Sequence, residues 1–207
     1  MLGDPEYRYQ EASDPSTAPY LWPPIERLIV QALSGVAKPA RVLDLGAGNG
    51  AFAARLSSLG VSVTAVEPSS SGVEIARQTH PQLTVIQASA YDDLTWLGQY
   101  SVVTCLEVIE HCYFPRRLIA GIRSLLEPDG TAIVSTPYHG YWKNLALAVS
   151  GQMDAHFTAL WDHGHIKFWS VQTLSSVLTE GGFNEISVLR IGRVPVLAKS
   201  MIAVAKP

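Results

Sequence analysis

Two carboxylates and an imidazole follow directly on a strongly apolar run of the chain. The stretch EVIEH holds Glu107, Glu110 and His111, immediately after SVVTCL. Carboxylates held close together repel, and one pKa rises unless a cation lies between them. Because only 16% of the residues are charged, this cluster calls for a chemical reason. The segment WDHGHIKFW, with His163 and His165, raises the same question downstream.

Four interpretations of EVIEH are open. The three charged residues could begin a helix, where acids favour the helix dipole. His111 could be a general base for a substrate hydroxyl, oriented by a carboxylate, or the segment could hydrogen-bond a substrate. In the fourth, Glu107, Glu110 and His111 bind a cation with His163 or His165, since positions i and i+3 share a helix face. Such ligands favour Mg²⁺ or Mn²⁺ over Zn²⁺.

A glycine-rich turn, VLDLGAGNG, predicts a second site. Asp44 ends a strand there, and Gly46, Gly48 and Gly50 let a ligand approach the backbone at the positive end of the next helix. The glycines fit a loose dinucleotide pattern, and Glu67 could hold a ribose diol in either case. Asp44 would pair with the ammonium group of S-adenosylmethionine but repel a pyrophosphate, and no basic residue follows within the turn. The pattern therefore favours S-adenosylmethionine.

Strands alternate with helices along most of the chain, which predicts βαβ units and a mostly parallel sheet covered on both faces. Residues 1–38 are predicted to be an extended lead-in and a helix opened by Pro23 and Pro24. EISVLRIG and KSMIAVAKP have no helix between them and predict a terminal antiparallel hairpin at the sheet edge. Residues 137–169 form an insert with four of the six histidines. We expect one domain over residues 1–207.

Composition limits the classes of function. Of 207 residues, 47% are apolar and the net charge is -3, so a globular domain is expected and nucleic acid binding has no electrostatic support. Cys105 and Cys112 do not form a Cys-x-x-Cys pair, which fits a reducing cytoplasm. The start MLGDPEYRYQ does not resemble a signal peptide, and no apolar run reaches the roughly 20 residues that span a bilayer. We predict a cytoplasmic protein.

The order of the motifs carries a family resemblance. VLDLGAGNG, VEPS, GQYSVVTCLEVIEH and LLEPDGTAIVSTP resemble a class I S-adenosylmethionine-dependent methyltransferase, from about Arg41 to the terminal hairpin. The motifs are most similar to those of the ubiquinone-biosynthesis O-methyltransferases. The resemblance implies a Rossmann-like α/β fold whose seven strands run in the order 3-2-1-4-5-7-6.

The resemblance also implies a set of cofactor-binding residues. Asp44, Gly46 and Gly48 would line the methionine moiety, Glu67 the ribose, and Ala88 with Ser89 the adenine. Gly50, Pro68 and Leu106 complete the set. The chain departs from the family pattern where many relatives carry an acid at the position of Ser89, and where Ser101 replaces a common Asp.

The metal interpretation gains weight from the same comparison. The ubiquinone-pathway enzymes and the small-RNA 2′-O-methyltransferases both have a Glu-x-x-Glu-His segment and use a divalent cation. The RNA enzymes add a later His, similar to His165. The resemblance thus implies Glu107, Glu110, His111 and His165 as ligands of Mg²⁺ or Mn²⁺, although the segment also recurs in relatives with no known metal.

The insert is predicted to face the methyl acceptor. Tyr138, His139, Tyr141 and Trp142 offer stacking surface and Lys143 a cation, as a flat or lipophilic acceptor would need. Residues 144–161 read as an apolar helical pair that could be a lid, a core element or a transient membrane contact. The pair lacks the basic face of a strong interfacial helix.

We predict O-methylation of a hydroxyl on a small-molecule, quinone-like or glycan- or lipid-linked acceptor. A hydroxyl needs a base or a metal that lowers its pKa, and the candidate bases are His111, His139 and His165. Two other classes stay open. One is a nicotinamide-dependent oxidoreductase with the same glycine turn, and the other is a non-catalytic S-adenosylmethionine-binding partner protein.

Overall fold

A seven-stranded sheet forms the centre of the molecule. The computed structural model of the chain describes residues 7–36 and 39–207. The strands are β1 (Arg41–Leu45), β2 (Ser62–Glu67), β3 (Thr84–Gln87), β4 (Tyr100–Leu106), β5 (Leu126–Pro137), β6 (Glu185–Ile191) and β7 (Ser200–Lys206), in the order β3-β2-β1-β4-β5-β7-β6. The first five pair in parallel, and β7 lies antiparallel between β5 and β6. The predicted order and terminal hairpin are confirmed.

Helices cover both faces of the sheet. They are α1 (Ala18–Ala32), α2 (Ala51–Ser57), α3 (Ser70–Thr79), α4 (Pro115–Ser124), α5 (Tyr141–Val149), α6 (Met153–Phe157) and α7 (Val171–Glu180). Side chains of α1, α2 and α3 bury one apolar cluster, and those of α4 and α7 bury the other. Neighbouring strand residues such as Val42 and Leu43 belong to opposite clusters, because successive side chains of a strand point to opposite faces.

The first helix begins earlier than the sequence predicts. Pro23 and Pro24 lie inside α1, which starts at Ala18. A proline inside a helix removes a backbone donor and costs about 3 kcal/mol, so prolines were expected to mark the beginning. Burial of Leu21 and Trp22 before the prolines, and of Ile25 and Ile29 after them, outweighs that cost.

The insert leaves the sheet after β5 and returns before α7. A single backbone bridge between Tyr138 and Trp169 closes it at its base. The predicted helical pair over residues 144–161 is α5 and α6, which end at Val149 and Phe157. Most apolar side chains of α5 are exposed or half-buried rather than packed in a core. Within residues 7–36 and 39–207, no helix is long and apolar enough to cross a membrane.

Candidate active site

One large cavity opens where β1, β2 and β4 end. The glycine turn and the strand-end acids line one side, and the insert lines the other. The connection between β6 and β7 and an N-terminal segment complete the wall. In open α/β sheets, ligands bind outside the carboxyl ends of the strands. The sequence therefore placed the cavity on the correct edge of the sheet.

The turn after β1 requires its glycines. Gly46, Gly48 and Gly50 have φ of +81°, +57° and +78°, a region that side chains with a Cβ rarely adopt. A Cβ on Gly46 would lie 2.5 Å from Val108 Cγ2, and one on Gly48 would lie 2.8 Å from the Tyr9 hydroxyl. Val108 and Tyr9 therefore lie directly against the turn, and only glycine leaves room for them at these two positions.

Asp44 places a buried carboxylate at the bottom of the cavity. It is 3% exposed, and its Oδ1 accepts a hydrogen bond of 2.8 Å from the Thr104 hydroxyl. Burial raises the pKa of Asp44 to about 6; the Thr104 bond opposes the rise and the charge of Glu67 adds to it. A desolvated carboxylate with one donor is poised to pair with a ligand's ammonium group.

Glu67 supports the turn as well as facing the cavity. Its Oε2 accepts from the Gly48 amide at 2.8 Å, and its Oε1 accepts from the Ser69 amide at 2.9 Å. The sequence assigned Glu67 to a ribose diol. The structure adds that the same carboxylate holds the glycine turn against the beginning of α3.

Most of the predicted cofactor-binding residues line the cavity. They are Asp44, Gly46, Gly48, Glu67, Pro68, Ser89 and Leu106. Gly50 instead precedes α2 and packs against Ala76, while Ala88 packs against the core. Near the adenine position, the Ser89 amide donates to Asp92 Oδ2 at 2.8 Å. An acid is thus present beside Ser89, three residues later than in the family pattern.

An N-terminal strap, residues 7–16, crosses the glycine turn and was not predicted as part of the site. Asn49 Nδ2 donates to the carbonyls of Glu11 and Ser13 at 3.2 and 2.9 Å. The Tyr9 amide donates to Ser71 Oγ at 3.0 Å, and Ser69 Oγ donates to the Tyr7 carbonyl at 2.7 Å. The Pro- and Ser-rich sequence gave no periodic signal. Its two closely spaced tyrosines were the only hint of a role.

Tyr9 of the strap lies directly against the glycine turn. Its hydroxyl lies against Gly48, and its ring also lies close to Gly72. Burial raises the pKa of the Tyr9 phenol, and the charges of Glu67, Tyr7 and Asp44 raise it further. Tyr9 therefore stays protonated and presents a neutral hydroxyl beside two acids.

Removal of the Tyr9 ring should weaken cofactor binding. We expect Tyr9→Ala to bind S-adenosylhomocysteine about tenfold more weakly, because a buried aromatic surface over the turn is lost. Tyr9→Phe keeps the ring and should retain most of the affinity. Calorimetric titration measures both, with Trp96→Ala, an exposed aromatic outside the cavity, as control. Tighter binding by Tyr9→Ala would show that the ring blocks the cofactor instead.

EVIEH does not form the helix face that its spacing predicts. Glu107 has φ +54°, and only Ile109–His111 form a short 3-10 turn. The Glu107 carboxylate contacts Ser135 Oγ at 2.9 Å and Ser200 Oγ at 3.4 Å. The Glu107 carboxylate is thus held by residues of β5 and β7, although its charge still acts on Glu110.

Glu110 instead meets the two histidines. Its Oε1 lies 4.0 Å from His165 Nε2, and ligand atoms of Glu110, His111 and His165 all lie within 4.8 Å of one another. Glu110 is 1% exposed, and among the described residues neither carboxylate oxygen has a partner within ordinary hydrogen-bond distance, although the Thr136 hydroxyl lies near enough to lower the pKa of Glu110. This cluster, called the Glu110 centre below, contains three of the four predicted metal ligands. Glu107 is not part of it.

Backbone contacts hold the Glu110 centre together. The amides of Ile166 and Lys167 both donate to the Glu110 carbonyl at 2.9 Å. His111 Nδ1 lies 2.9 Å from the carbonyl of His163, and the rings of His111 and His165 are 4.9 Å apart. These contacts fix the insert to the end of β4, so His163 contributes its backbone rather than its ring.

The electrostatics of the site favour neutral imidazoles and protonated carboxyls. Burial raises the pKa of Glu107 to about 7 and, with the Glu107 charge, raises that of Glu110 well above its usual range. Burial lowers the pKa of His111, and burial with the nearby His111 lowers that of His165 to about 4. Neutral imidazoles can accept a proton or bind a metal.

His139 occupies a different place from the other candidate bases. It is 8% exposed and packs against Phe157 and Phe168 at ring distances of 5.7 and 5.0 Å. It does not line the cavity. Burial lowers its pKa to about 4. His139 is thus covered by α6 and by Phe168 of the insert, and this geometry gives no support to a role as base.

The fold and the turn geometry are those of class I S-adenosylmethionine-dependent methyltransferases. A family model described as a methyltransferase domain matches residues 22–188. The chain belongs to this methyltransferase family. The buried Asp44 carboxylate beside the glycine turn fits the ammonium group of S-adenosylmethionine.

Curated relatives cover part of the chain. A ubiquinone biosynthesis O-methyltransferase of Vibrio parahaemolyticus is 28% identical over 153 residues, 72% of this chain and 65% of the relative. Its counterpart from Xanthomonas campestris is 35% identical over 102 residues, 47% of this chain and 43% of the relative. The chain thus spans less than two thirds of the length of either relative.

Solved structures show the same fold at low identity. An S-adenosylmethionine-dependent methyltransferase from Archaeoglobus fulgidus matches with a TM-score of 0.64 and 14% identity, covering 90% of this chain and 94% of that one. Magnesium protoporphyrin IX methyltransferase from Synechocystis, with S-adenosylhomocysteine bound, matches with a TM-score of 0.65 and 17% identity, covering 89% and 83%. At these identities the likeness concerns the fold alone.

Proposed function

We propose that the chain transfers a methyl group from S-adenosylmethionine to a hydroxyl oxygen of its acceptor. The observation that carries the proposal is the Glu110 centre, which lines the same cavity as the glycine turn. The curated relatives named as O-methyltransferases support the same chemistry. An acceptor that is quinone-like or glycan- or lipid-linked remains the expectation from the sequence.

The bound cofactor supplies an electrophilic methyl group on its sulfonium. The chain's own residues hold the reactants in line and exclude water. Asp44 would pair with the ammonium group, and the glycine turn would lie beside the methionine moiety. His111 and His165 are the cavity histidines that meet at the Glu110 centre, and burial lowers the pKa of both, which favours the neutral imidazole that can take the hydroxyl proton.

The Glu110 centre also has donors suited to a divalent cation. Glu110, His111 and His165 would hold it, and the two unpartnered oxygens of the buried Glu110 carboxylate support this fit. Without Glu107 the donors are one carboxylate and two imidazoles, a set that suits Mn²⁺ better than Mg²⁺ and that also binds Zn²⁺. A cation bound there would lower the pKa of an acceptor hydroxyl.

A methyl-transfer screen with labelled S-adenosylmethionine tests the proposal. We expect transfer to hydroxyl-bearing acceptors, loss of transfer with EDTA, and recovery with Mn²⁺ or Mg²⁺. Acceptors in which the hydroxyl is replaced by hydrogen serve as the matched control. If EDTA leaves the rate of transfer unchanged, the reaction needs no cation, and the histidines are the remaining candidates for the base. Transfer to the control acceptors would contradict O-methylation.

A further inference from the structure

Three cations lie on one wall of the cavity. Lys143 comes from α5, and Arg193 and Lys199 come from the connection between β6 and β7. These three residues are called the basic wall. Within residues 7–36 and 39–207, none of them forms an ion pair. The chain as a whole has a net charge of -3, so a cluster of three cations without ion pairs in the described part of the chain is unusual for it.

Lys143 is the buried member of the basic wall. It is 9% exposed, and its ammonium donates to the carbonyls of Tyr138 at 2.7 Å and Lys199 at 3.4 Å. An ammonium has three N–H donors, so one remains for a ligand. Burial and the charge of Arg193 lower the pKa of Lys143 to about 8, against the opposing charge of Glu107. A nearby anion would offset both the burial of the Lys143 ammonium and its repulsion by Arg193.

The basic wall is connected to the end of β4 through a series of side-chain contacts. Lys199 Nζ lies 5.0 Å from the centre of the Tyr20 ring, and the Tyr20 hydroxyl lies 3.3 Å from Ser200 Oγ. Ser200 in turn contacts Glu107 at the end of β4. The basic wall and the Glu110 centre line the same cavity, so one molecule can contact both.

We propose that the basic wall is a subsite for an anionic group, a phosphate or a carboxylate, carried by the methyl acceptor. The proposal rests on the proposed function in one respect, since it names the chemical class of the acceptor. Arg193 can hold an anion through paired N–H donors, and the two lysines add charge. The subsite selects acceptors with a phosphate or carboxylate over neutral ones.

Binding of simple anions tests the subsite without knowledge of the acceptor. The probes are inorganic pyrophosphate and malonate, titrated calorimetrically into the full chain with S-adenosylhomocysteine at constant ionic strength. EDTA is present throughout, so that no cation at the Glu110 centre can hold the anion. The variants are Arg193→Gln and Lys199→Gln, both at exposed positions where folding is not at risk. Lys206→Gln, exposed and outside the cavity, makes the same change of charge.

The wild-type chain should bind at least one probe, and each subsite variant should bind it about fivefold more weakly, while Lys206→Gln binds as wild type. Preference for pyrophosphate identifies a phosphate-bearing acceptor, and preference for malonate a carboxylate. No binding of either probe, or equal loss in Lys206→Gln, would overturn the proposal. The affinity for S-adenosylhomocysteine is measured in the same samples. Failure to bind it would refute the proposed function separately from the subsite.

Discussion

Glu110→Gln is expected to lower the rate of methyl transfer at least 100-fold, roughly the contribution of a positioned acid–base group. The substitution keeps the size of the side chain but removes the carboxylate that faces His111 and His165. His165→Gln should have a similar effect. Because these residues act as one group, the double variant should lose little more than the worse single variant. Turnover with labelled cofactor measures all three.

Binding and stability separate this role from a structural one. The affinity of Glu110→Gln for S-adenosylhomocysteine should stay within about threefold of wild type, as expected when only transition-state contacts are removed. Its thermal midpoint should not fall, because burial disfavours the charged form of Glu110. His80→Gln, outside the cavity, is the matched control. Equal loss of cofactor binding and turnover would make the Glu110 centre a structural element.

Asp44→Asn is expected to weaken S-adenosylhomocysteine binding about 30-fold, equivalent to roughly 2 kcal/mol for a charge-assisted hydrogen bond. Asparagine can still accept the Thr104 hydrogen bond, so the turn should keep its shape. For the wild type, affinity should rise with pH through about 6, where Asp44 loses its proton. The affinity of the variant should not follow that rise. Titration calorimetry between pH 5 and pH 8 measures both.

The same substitution should stabilise the chain without ligand. The folded pKa of Asp44, about 6, is above its ordinary value of 3.8, so the folded state binds the proton more tightly than the unfolded state. The free energy of unfolding then falls as pH rises from about 4 to about 6, by at most roughly 3 kcal/mol. Asp44→Asn removes this loss.

Urea unfolding without ligand measures this gain. The variant should be more stable than wild type at pH 7, and the difference should vanish near pH 4. Asp129→Asn, at an exposed position, should show no such difference. A variant that is less stable at pH 7 would mean that the ionised carboxylate holds the turn, and that burial is not its dominant cost.

Local patterns predicted the parts of the fold that depend on neighbouring residues. The glycines of VLDLGAGNG predict a turn with positive φ angles, and the structure has that turn. Apolar runs such as SVVTCL became buried strands. Asp44 and Glu67 could be placed at the sheet edge because each directly follows such a run. The strand order needed the family resemblance, since no local pattern encodes which strands pair.

Expectations that assumed regular geometry were the ones that failed. Pro23 and Pro24 were expected to open α1 but lie inside it, because buried contacts on both sides hold the helix. Glu107 and Glu110 were expected to share a helix face, but a left-handed residue and a 3-10 turn separate them. Neither departure is visible in side-chain spacing.

The sequence by itself determined the class of the protein, the glycine turn and the acids that end its strands, because each depends on a few adjacent residues. The tertiary structure alone decided that His165 meets Glu110, that His139 packs away from the cavity, and that Tyr9 covers Gly48. These pairs lie far apart along the chain. Their meeting depends on how the insert and the strap fold back over the sheet, and backbone hydrogen bonds such as those to the Glu110 carbonyl fix that path.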